Sequence, residues 1–304
     1  MKIGILGGGG WGTTLALLLD SRDHEVRLWV YEADETERMR RTRENTTFLP
    51  GVRIPDRILI TNSQSEAVRN AEAIVIATPS RVVRDVARKL LEDAGPELKG
   101  IQAIVSGSKG LEPKTLLRMS EVLAQVLPER SRSSLVVLTG PSHAEEVSRR
   151  VPTAVVAASS DPASAGLVQE AFSTEWFRVY TNDDVAGVEI AAALKNVVAI
   201  AAGICDGLGF GDSTKGALLT RGLVEIAAIG KGMKLEEALA ASKMVVEGVG
   251  TAHAAVDLSR RHGVELPIAE QVRAILFEGK SATAAIRELL TRDLKAEPRA
   301  LTRR

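Results

Sequence analysis

Short apolar runs rich in β-branched residues recur along the first half of the chain, at Lys2–Leu6, Glu25–Val30, Ala73–Ala77, Ile101–Val105 and Leu135–Leu138. Between them, stretches near 11–20, 80–93, 114–126 and 142–149 carry helical spacing. A brief apolar run without alternation reads as a strand buried on both faces, and strands separated by helices imply right-handed βαβ units. The pattern predicts an α/β fold: a doubly wound, Rossmann-type parallel sheet with helices on both sides. Thr153–Ala158 and Phe177–Thr181 are two further strands that would extend it. After Thr181 the pattern changes. Asn182-Asp183-Asp184 supplies capping residues, and almost everything beyond reads as helix. The expected division is a dinucleotide-binding domain over 1–186 and an all-α domain for substrate and dimerisation over 187–304.

The first strand runs into Gly7-Gly8-Gly9-Gly10-Trp11-Gly12, which fits G-x-G-x-x-G with Gly7, Gly9 and Gly12 at the three defined positions. The first glycine permits the tight turn, the second lets a pyrophosphate approach the backbone, and the third allows close helix–strand packing. The anion then rests on the N–H groups of the helix N-terminus, a spot that includes Gly10. Glu32 lies 20 residues past Gly12, at the end of the second strand, where an acid is expected to meet a ribose. A strand before, a helix after and this acid together make the motif point to a dinucleotide, against a glycine turn that binds nothing.

Lys195 sits in Gly187-Val-Glu-Ile-Ala-Ala-Ala-Leu-Lys-Asn-Val-Val-Ala-Ile-Ala-Ala-Gly203, a segment apolar on nearly every side. Such a helix is normally buried, and burial disfavours a charged ammonium, which would fit Lys195 for proton exchange near neutral pH. From this segment alone, a lysine snorkelling from the edge of a core helix is an equal reading.

Three more loops follow predicted strands, where ligands gather in open parallel sheets. They are Ala77-Thr78-Pro79-Ser80, Ser106-Gly107-Ser108-Lys109-Gly110-Leu111-Glu112 and Thr139-Gly140-Pro141-Ser142-His143-Ala144-Glu145-Glu146. Lys109, between glycines, is placed to bring a fixed positive charge to a substrate oxygen. Gly140 and Ser142 offer backbone and hydroxyl donors at a helix start. Each loop also has an ordinary capping reading. His143 has nothing near it in sequence to orient an imidazole, and His24, His253 and His262 lack metal-ligand spacing.

Composition narrows the classes. Lys+Arg and Asp+Glu both number 39 in 304 residues, so no global charge favours nucleic acid or an anionic membrane. Cys205 is the only cysteine, which excludes an intrachain disulfide and a multi-cysteine metal site. The stretch around 185–205 approaches membrane-spanning length, but Glu189, Lys195 and Asn196 within it favour a buried soluble helix. The N-terminus opens directly into a strand-like run, without a secretory signal pattern. The expectation is a soluble cytoplasmic protein.

Taken in order, several of these segments resemble the soluble NAD(P)-dependent glycerol-3-phosphate dehydrogenase family. The resemblance rests on Gly-Gly-Gly-Gly-Trp-Gly-Thr-Thr at 7–14, Glu-Asn-Thr-Thr-Phe-Leu-Pro-Gly at 44–51, Ser-Lys-Gly-Leu-Glu at 108–112 and Gly-Pro-Ser at 140–142. It continues through Glu-Ile-Ala-Ala-Ala-Leu-Lys-Asn at 189–196, Gly-Asp-Ser-Thr-Lys-Gly-Ala-Leu-Leu-Thr-Arg-Gly at 211–222, Val-Val-Glu-Gly-Val at 245–249 and Glu-Leu-Pro-Ile-Ala-Glu at 265–270. It implies interconversion of sn-glycerol 3-phosphate and dihydroxyacetone phosphate, a reaction of glycerophospholipid metabolism, by a cytoplasmic homodimer. It further implies Lys195 as acid/base, and Lys109 touching both substrate and cofactor. Gly140 and Ser142 become substrate contacts, and Trp11, Ala144 and Glu247 cofactor contacts.

One stretch departs from the family. After Arg221-Gly222-Leu223-Val224-Glu225-Ile226 the family continues into a helical stretch with an aspartate and a Ser-Arg-Asn motif, which resembles its phosphate-binding set. Here Ala227–Leu235 passes almost directly into Glu236-Glu237-Ala238-Leu239, which looks like a later segment. The gap keeps two alternatives open: a dinucleotide-binding protein with impaired catalysis, and a β-hydroxyacid dehydrogenase acting on a carboxylate. As for the cofactor, the second strand ends in Leu28-Trp29-Val30-Tyr31-Glu32. The Glu32 carboxylate suits the ribose hydroxyls of NAD and repels the 2′-phosphate of NADP, while Tyr31 either lies against adenine or merely covers the end of the sheet. NAD is therefore the expected preference, with NADP possible.

Overall fold

The computed structural model describes residues 1–112, 115, 117–232, 256 and 265–290. Ten strands and eleven helices are labelled here in chain order among those residues. The strands are β1 (Lys2–Leu6), β2 (Glu25–Trp29), β3 (Glu44–Asn45), β4 (Leu49–Arg53), β5 (Leu59–Thr61), β6 (Ala73–Ile76), β7 (Ala103–Ser106), β8 (Leu135–Thr139), β9 (Thr153–Ala158) and β10 (Phe177–Asn182). The helices of the first half are α1 (Gly10–Asp20), α2 (Ala33–Thr42), α3 (Gln64–Val68), α4 (Val83–Ala94), α5 (Met119–Val126), α6 (Ala144–Ser148) and α7 (Pro162–Phe172). The second half contributes α8 (Val185–Gly207), α9 (Asp212–Gly232), α10 (Pro267–Glu278) and α11 (Ala282–Leu290).

Eight strands form one sheet in the order β10-β9-β8-β7-β6-β1-β2-β5, while β3 and β4 make a separate antiparallel ribbon. Alternate residues of the central strands feed two cores. Ile3, Ile5, Val75 and Val105 pack with Leu15 and Leu19 of α1 and Val168 and Phe172 of α7. Leu6, Ile74, Ile76 and Ile104 pack with Val83 and Leu90 of α4 and Val122 and Leu123 of α5. Burial on both faces explains why these strands read as unbroken apolar runs.

The sheet is parallel, as expected, except at one place: β8 and β9 pair antiparallel, with Val137 opposite Ala158 and Thr139 opposite Val156. The connection decides this. Helix α6 has only five residues and rises ~7 Å, too little to carry the chain back along the sheet. Helix α7, with eleven residues, spans ~16 Å, and β10 follows it parallel to β9.

In the second half, α8 packs against α9, α10, β8 and β9. Ile190, Leu194, Val197 and Ala201 of α8 join Val256, Leu266, Ile268, Ala269 and Val272 in a third core. Helix α8 is the one described helix long and apolar enough to cross a membrane. Its Glu189 is buried instead in an ion pair with Arg118.

Candidate dinucleotide and substrate site

The chain order of the sheet reverses at β1, with β2 on one side and β6 on the other. Such a switch point opens a crevice at the carboxyl ends of the strands. The glycine turn lies there, and its glycines have distinct reasons to be glycine. Gly7 has φ +134°, and a Cβ on it would meet the Ala77 carbonyl oxygen at 2.4 Å. A Cβ on Gly12 would stand 1.8 Å from the Gly7 carbonyl oxygen, so α1 can approach the turn only without a side chain. A Cβ on Gly9 would meet nothing within 4 Å. The open flank of Gly9 leaves room for a pyrophosphate to approach the backbone. Gly9 is also the N-cap of α1 and offers no side-chain cap, so the first-turn N–H groups are left for an anion. These features fit a dinucleotide.

The β3–β4 ribbon covers the turn. Asn45 is fully buried, and its Nδ2 donates to the Gly8 carbonyl oxygen and to Thr13 Oγ1, both at 2.8 Å. Its Oδ1 accepts from Phe48 N–H at 3.1 Å. A Cβ on Gly10 would lie 2.6 Å from the Phe48 carbonyl oxygen and 3.5 Å from the Ala144 Cβ. Thr14 Oγ1 donates to the Ala144 carbonyl at 3.1 Å, tying α1 to the start of α6. Gly10 and Ala144 thus meet at the mouth of the turn. Sequence reasoning missed Asn45, whose role depends on where a ribbon folds over. Its only trace in sequence is its place within the 44–51 motif.

At the end of β2, Tyr31 is exposed and meets Trp29 edge-on, with ring centroids 6.0 Å apart. Glu32 is exposed at the N-cap of α2, and its side chain makes no capping bond. The carboxylate is available to a ligand at the β1/β2 edge. Arg38, the basic residue next along α2, is held by Glu35 and Thr47.

On the other side of the crevice, Lys109 Nζ lies 5.6 Å from the Trp11 ring centroid and donates to Ser142 Oγ at 3.3 Å and to the Ser142 carbonyl at 3.4 Å. The loops after β7 and β8 and the start of α1 therefore converge. Gly110 has φ +100°, a backbone conformation glycine adopts at no steric cost. The Lys109 loop is anchored by Glu112, paired with Arg84 Nε at 2.7 Å. The Arg84 guanidinium holds the Glu112 carboxyl below the usual carboxylate range, opposed by burial. Gly140 lets the loop pass β9, since a Cβ would lie 2.9 Å from Val155 Cα.

Lys195 stands on a separate element, α8. It is half-buried, with Nζ donating to Asn196 Oδ1 at 2.9 Å. The sequence left burial and a place at the helix edge equally open. Partial exposure arises because α8 packs on the sheet and on other helices along only part of its circumference. Glu247 lies outside the described residues. His143 is exposed at the N-cap of α6. Among the described residues no group of three or more His, Cys, Asp or Glu is placed to hold a metal ion.

Comparison with known proteins agrees across the whole chain. Residues 2–165 match the model of the NAD-dependent glycerol-3-phosphate dehydrogenase N-terminus, and 184–234 and 227–287 match that of the C-terminus in two pieces. A glycerol-3-phosphate dehydrogenase [NAD(P)+] of Geobacter sulfurreducens is 46% identical over 334 aligned positions, covering 97% of this chain and 98% of the relative. A Thermoanaerobacter enzyme of the same name is 43% identical, covering 98% of this chain and 99% of its own. The crystal structure of glycerol-3-phosphate dehydrogenase from Coxiella burnetii superposes with a TM-score of 0.79 at 30% identity, over 96% of this chain and 99% of that one. Since 97% of 304 residues is about 295, some 39 of the 334 positions aligned with the Geobacter protein have no counterpart here.

Proposed function

We propose, for a chain that belongs to the NAD-dependent glycerol-3-phosphate dehydrogenase family by both its halves, that it interconverts sn-glycerol 3-phosphate and dihydroxyacetone phosphate. The observation that carries this reading is the convergence of the Lys109 and Ser142 loops with Trp11 beside the glycine turn. Gly7, Gly9, Gly10 and Gly12 hold a pyrophosphate on the first turn of α1. Glu32 accepts from ribose hydroxyls, Tyr31 covers the adenine, and Trp11, Ala144 and Glu247 complete the cofactor contacts. NAD is the preferred form.

Hydride transfer is the chemistry a bound nicotinamide supplies. The residues of this chain manage the accompanying proton and charge. Lys195 donates a proton from Nζ to the carbonyl oxygen as it becomes a hydroxyl, and in the oxidative direction the neutral amine takes it back. Lys109 stabilises negative charge developing on that oxygen, and Gly140 and Ser142 orient the substrate. The Asn196 contact holds Lys195 Nζ in one place until substrate arrives.

The two-piece match of the helical half puts the break in the family pattern near residues 227–235. High identity over nearly the full length of the relatives does not favour a binding protein without turnover. We place the domain division near Asp184, between β10 and α8. Leu219, Leu276 and Phe277, exposed on the helical half, support a homodimer. The balanced charge supports a protein without nucleic-acid or membrane partners, and membership of the family supports a cytoplasmic role in glycerophospholipid synthesis.

The test is NADH oxidation with dihydroxyacetone phosphate beside small keto acids. Turnover confined to the phosphate supports the proposal, and turnover confined to a keto acid overturns the substrate. The Lys195→Ala variant should bind NADH while losing about a hundredfold or more in kcat. Retained turnover in that variant removes Lys195 from the proton step.

A further inference from the structure

Glu189 and Arg118 form a buried ion pair, with side chains 7% and 6% exposed and Arg118 Nη1 2.5 Å from Glu189 Oε2. The carboxylate is fully engaged: Oε1 accepts from Ser120 N–H at 3.0 Å, and Oε2 also accepts from Ser120 Oγ at 2.5 Å. Arg118 caps α5 in the nucleotide-binding half and also meets Glu121 at 3.1 Å. Glu189 lies in α8 of the helical half. The cluster therefore joins the two halves through α8, the helix that carries Lys195.

Stability alone is a poor reason for such a pair. Apolar residues in its place are often as stable or more so, and the best-attested use of a buried charge is to fix register. The flanking residues, Ile190 and Ala192 to Leu194, already supply apolar packing. Ile190 and Leu194 fix which face of α8 is buried, but Ala192 and Ala193 beside them are small and resist a partial turn about the axis only weakly. Three directional bonds from one carboxylate remove that freedom.

Lys195 is six residues from Glu189, ~9 Å along the axis and ~240° around it. A slip of one residue would turn Lys195 by ~100° about the axis of α8. We propose that Glu189, locked to Arg118 and Ser120, is a positioning residue that sets the rotation of α8 and so where Lys195 is presented to the substrate. The inference rests on Lys195 as the proton donor.

The decisive variant is Glu189→Gln, which keeps the shape and one acceptor oxygen while removing the charge. Arg118 retains Glu121, so the fold should persist. Measured well below its melting temperature, this variant should lose about tenfold in kcat, because misplacement of a catalytic group by a full ångström costs about a hundredfold and the remaining bonds limit the shift to a fraction of that. Affinity for NADH and KM for dihydroxyacetone phosphate should stay within about twofold of wild type. Glu189→Asp, which keeps the charge on a shorter arm, should recover part of the loss. A folded Glu189→Gln with wild-type kcat and only a lower melting temperature would reduce the pair to a structural contact. If that variant does not fold, Ser120→Ala decides, since it removes one bond and no charge. A fall of about threefold in kcat alone supports the inference, and an unchanged kcat overturns it. The outcomes separate from those of Lys195→Ala: if that variant is active the proton-donor reading fails, whereas an inactive Lys195→Ala beside a fully active Glu189→Gln defeats only the positioning role.

Discussion

The Asn45 amide donates to the Gly8 carbonyl at 2.8 Å, joining the β3–β4 ribbon to the glycine turn across 37 residues of sequence. The same Nδ2 reaches Thr13 Oγ1 on α1, so one side chain sets the turn against the helix it begins. Asn45→Asp keeps the shape and the acceptor for Phe48 N–H but removes both donors. It should weaken NADH binding about tenfold, since a buried group left without its partner costs about 1–3 kcal/mol. Fluorescence titration gives the affinity, and KM for the phosphorylated substrate should stay unchanged. Wild-type NADH affinity in a folded Asn45→Asp would show that the turn holds its shape without the clamp.

The glycines of the turn should fail in different ways. Gly12→Ala forces a Cβ to within 1.8 Å of the Gly7 carbonyl oxygen. It should lower stability by about 3 kcal/mol or more, in the range of severe overpacking. Gly9→Ala adds a methyl group with nothing within 4 Å. It should melt close to wild type while losing dinucleotide affinity, because the methyl group stands where the pyrophosphate approaches. Thermal melting and NADH titration on both variants check the contrast.

Glu32→Arg should invert the cofactor preference. The carboxylate is exposed and makes no capping bond at the end of β2. Replacing it trades a group that accepts from a ribose for one that pairs with a 2′-phosphate. The ratio of kcat/KM for NADH over NADPH should fall at least tenfold, the equivalent of about 1.4 kcal/mol. An unchanged ratio would remove Glu32 from cofactor choice.

The Glu112–Arg84 pair should show itself in the pH dependence of stability. Arg84 holds the Glu112 carboxyl below its ordinary value of 4.5 in the folded protein. Unfolding raises it again, so the unfolded chain takes up the proton first as the pH falls. The stabilisation is then full above about pH 4.5 and is lost as pH falls through the lower, folded value. Glu112→Gln should therefore be less stable than wild type at pH 7, by about 1–3 kcal/mol, with the gap closing below pH 4.5. Denaturant melts at pH 7 and in the acid range make the comparison. A gap that stays constant with pH would assign the loss to packing.

The sequence by itself determined the features whose causes are local. The central strands were legible because both of their faces are buried, which writes each as an unbroken apolar run. The glycine turn was legible because only glycine meets its φ and close-approach demands, and the distance to Glu32 follows from one βα unit. The resemblance across both halves pointed to Lys195, Lys109, Gly140 and Ser142 as candidates on the same footing. Tertiary structure decided what depends on partners distant in sequence. The direction of β9 followed from the shortness of α6, which capping and periodicity near residues 142–149 do not measure. The short β3 and β5 carry too few residues for a period to register, and β4 holds Pro50 and Gly51 and is mostly exposed, so the role of Asn45 appeared only once the ribbon lay over Gly8. Glu189 read as a stray charge in an apolar helix until Arg118 and Ser120, some seventy residues earlier, met it in the core. The physical reason is the same in each case. Backbone conformation and burial period are properties of neighbouring residues, whereas a hydrogen bond between distant segments exists only after the chain has brought them together.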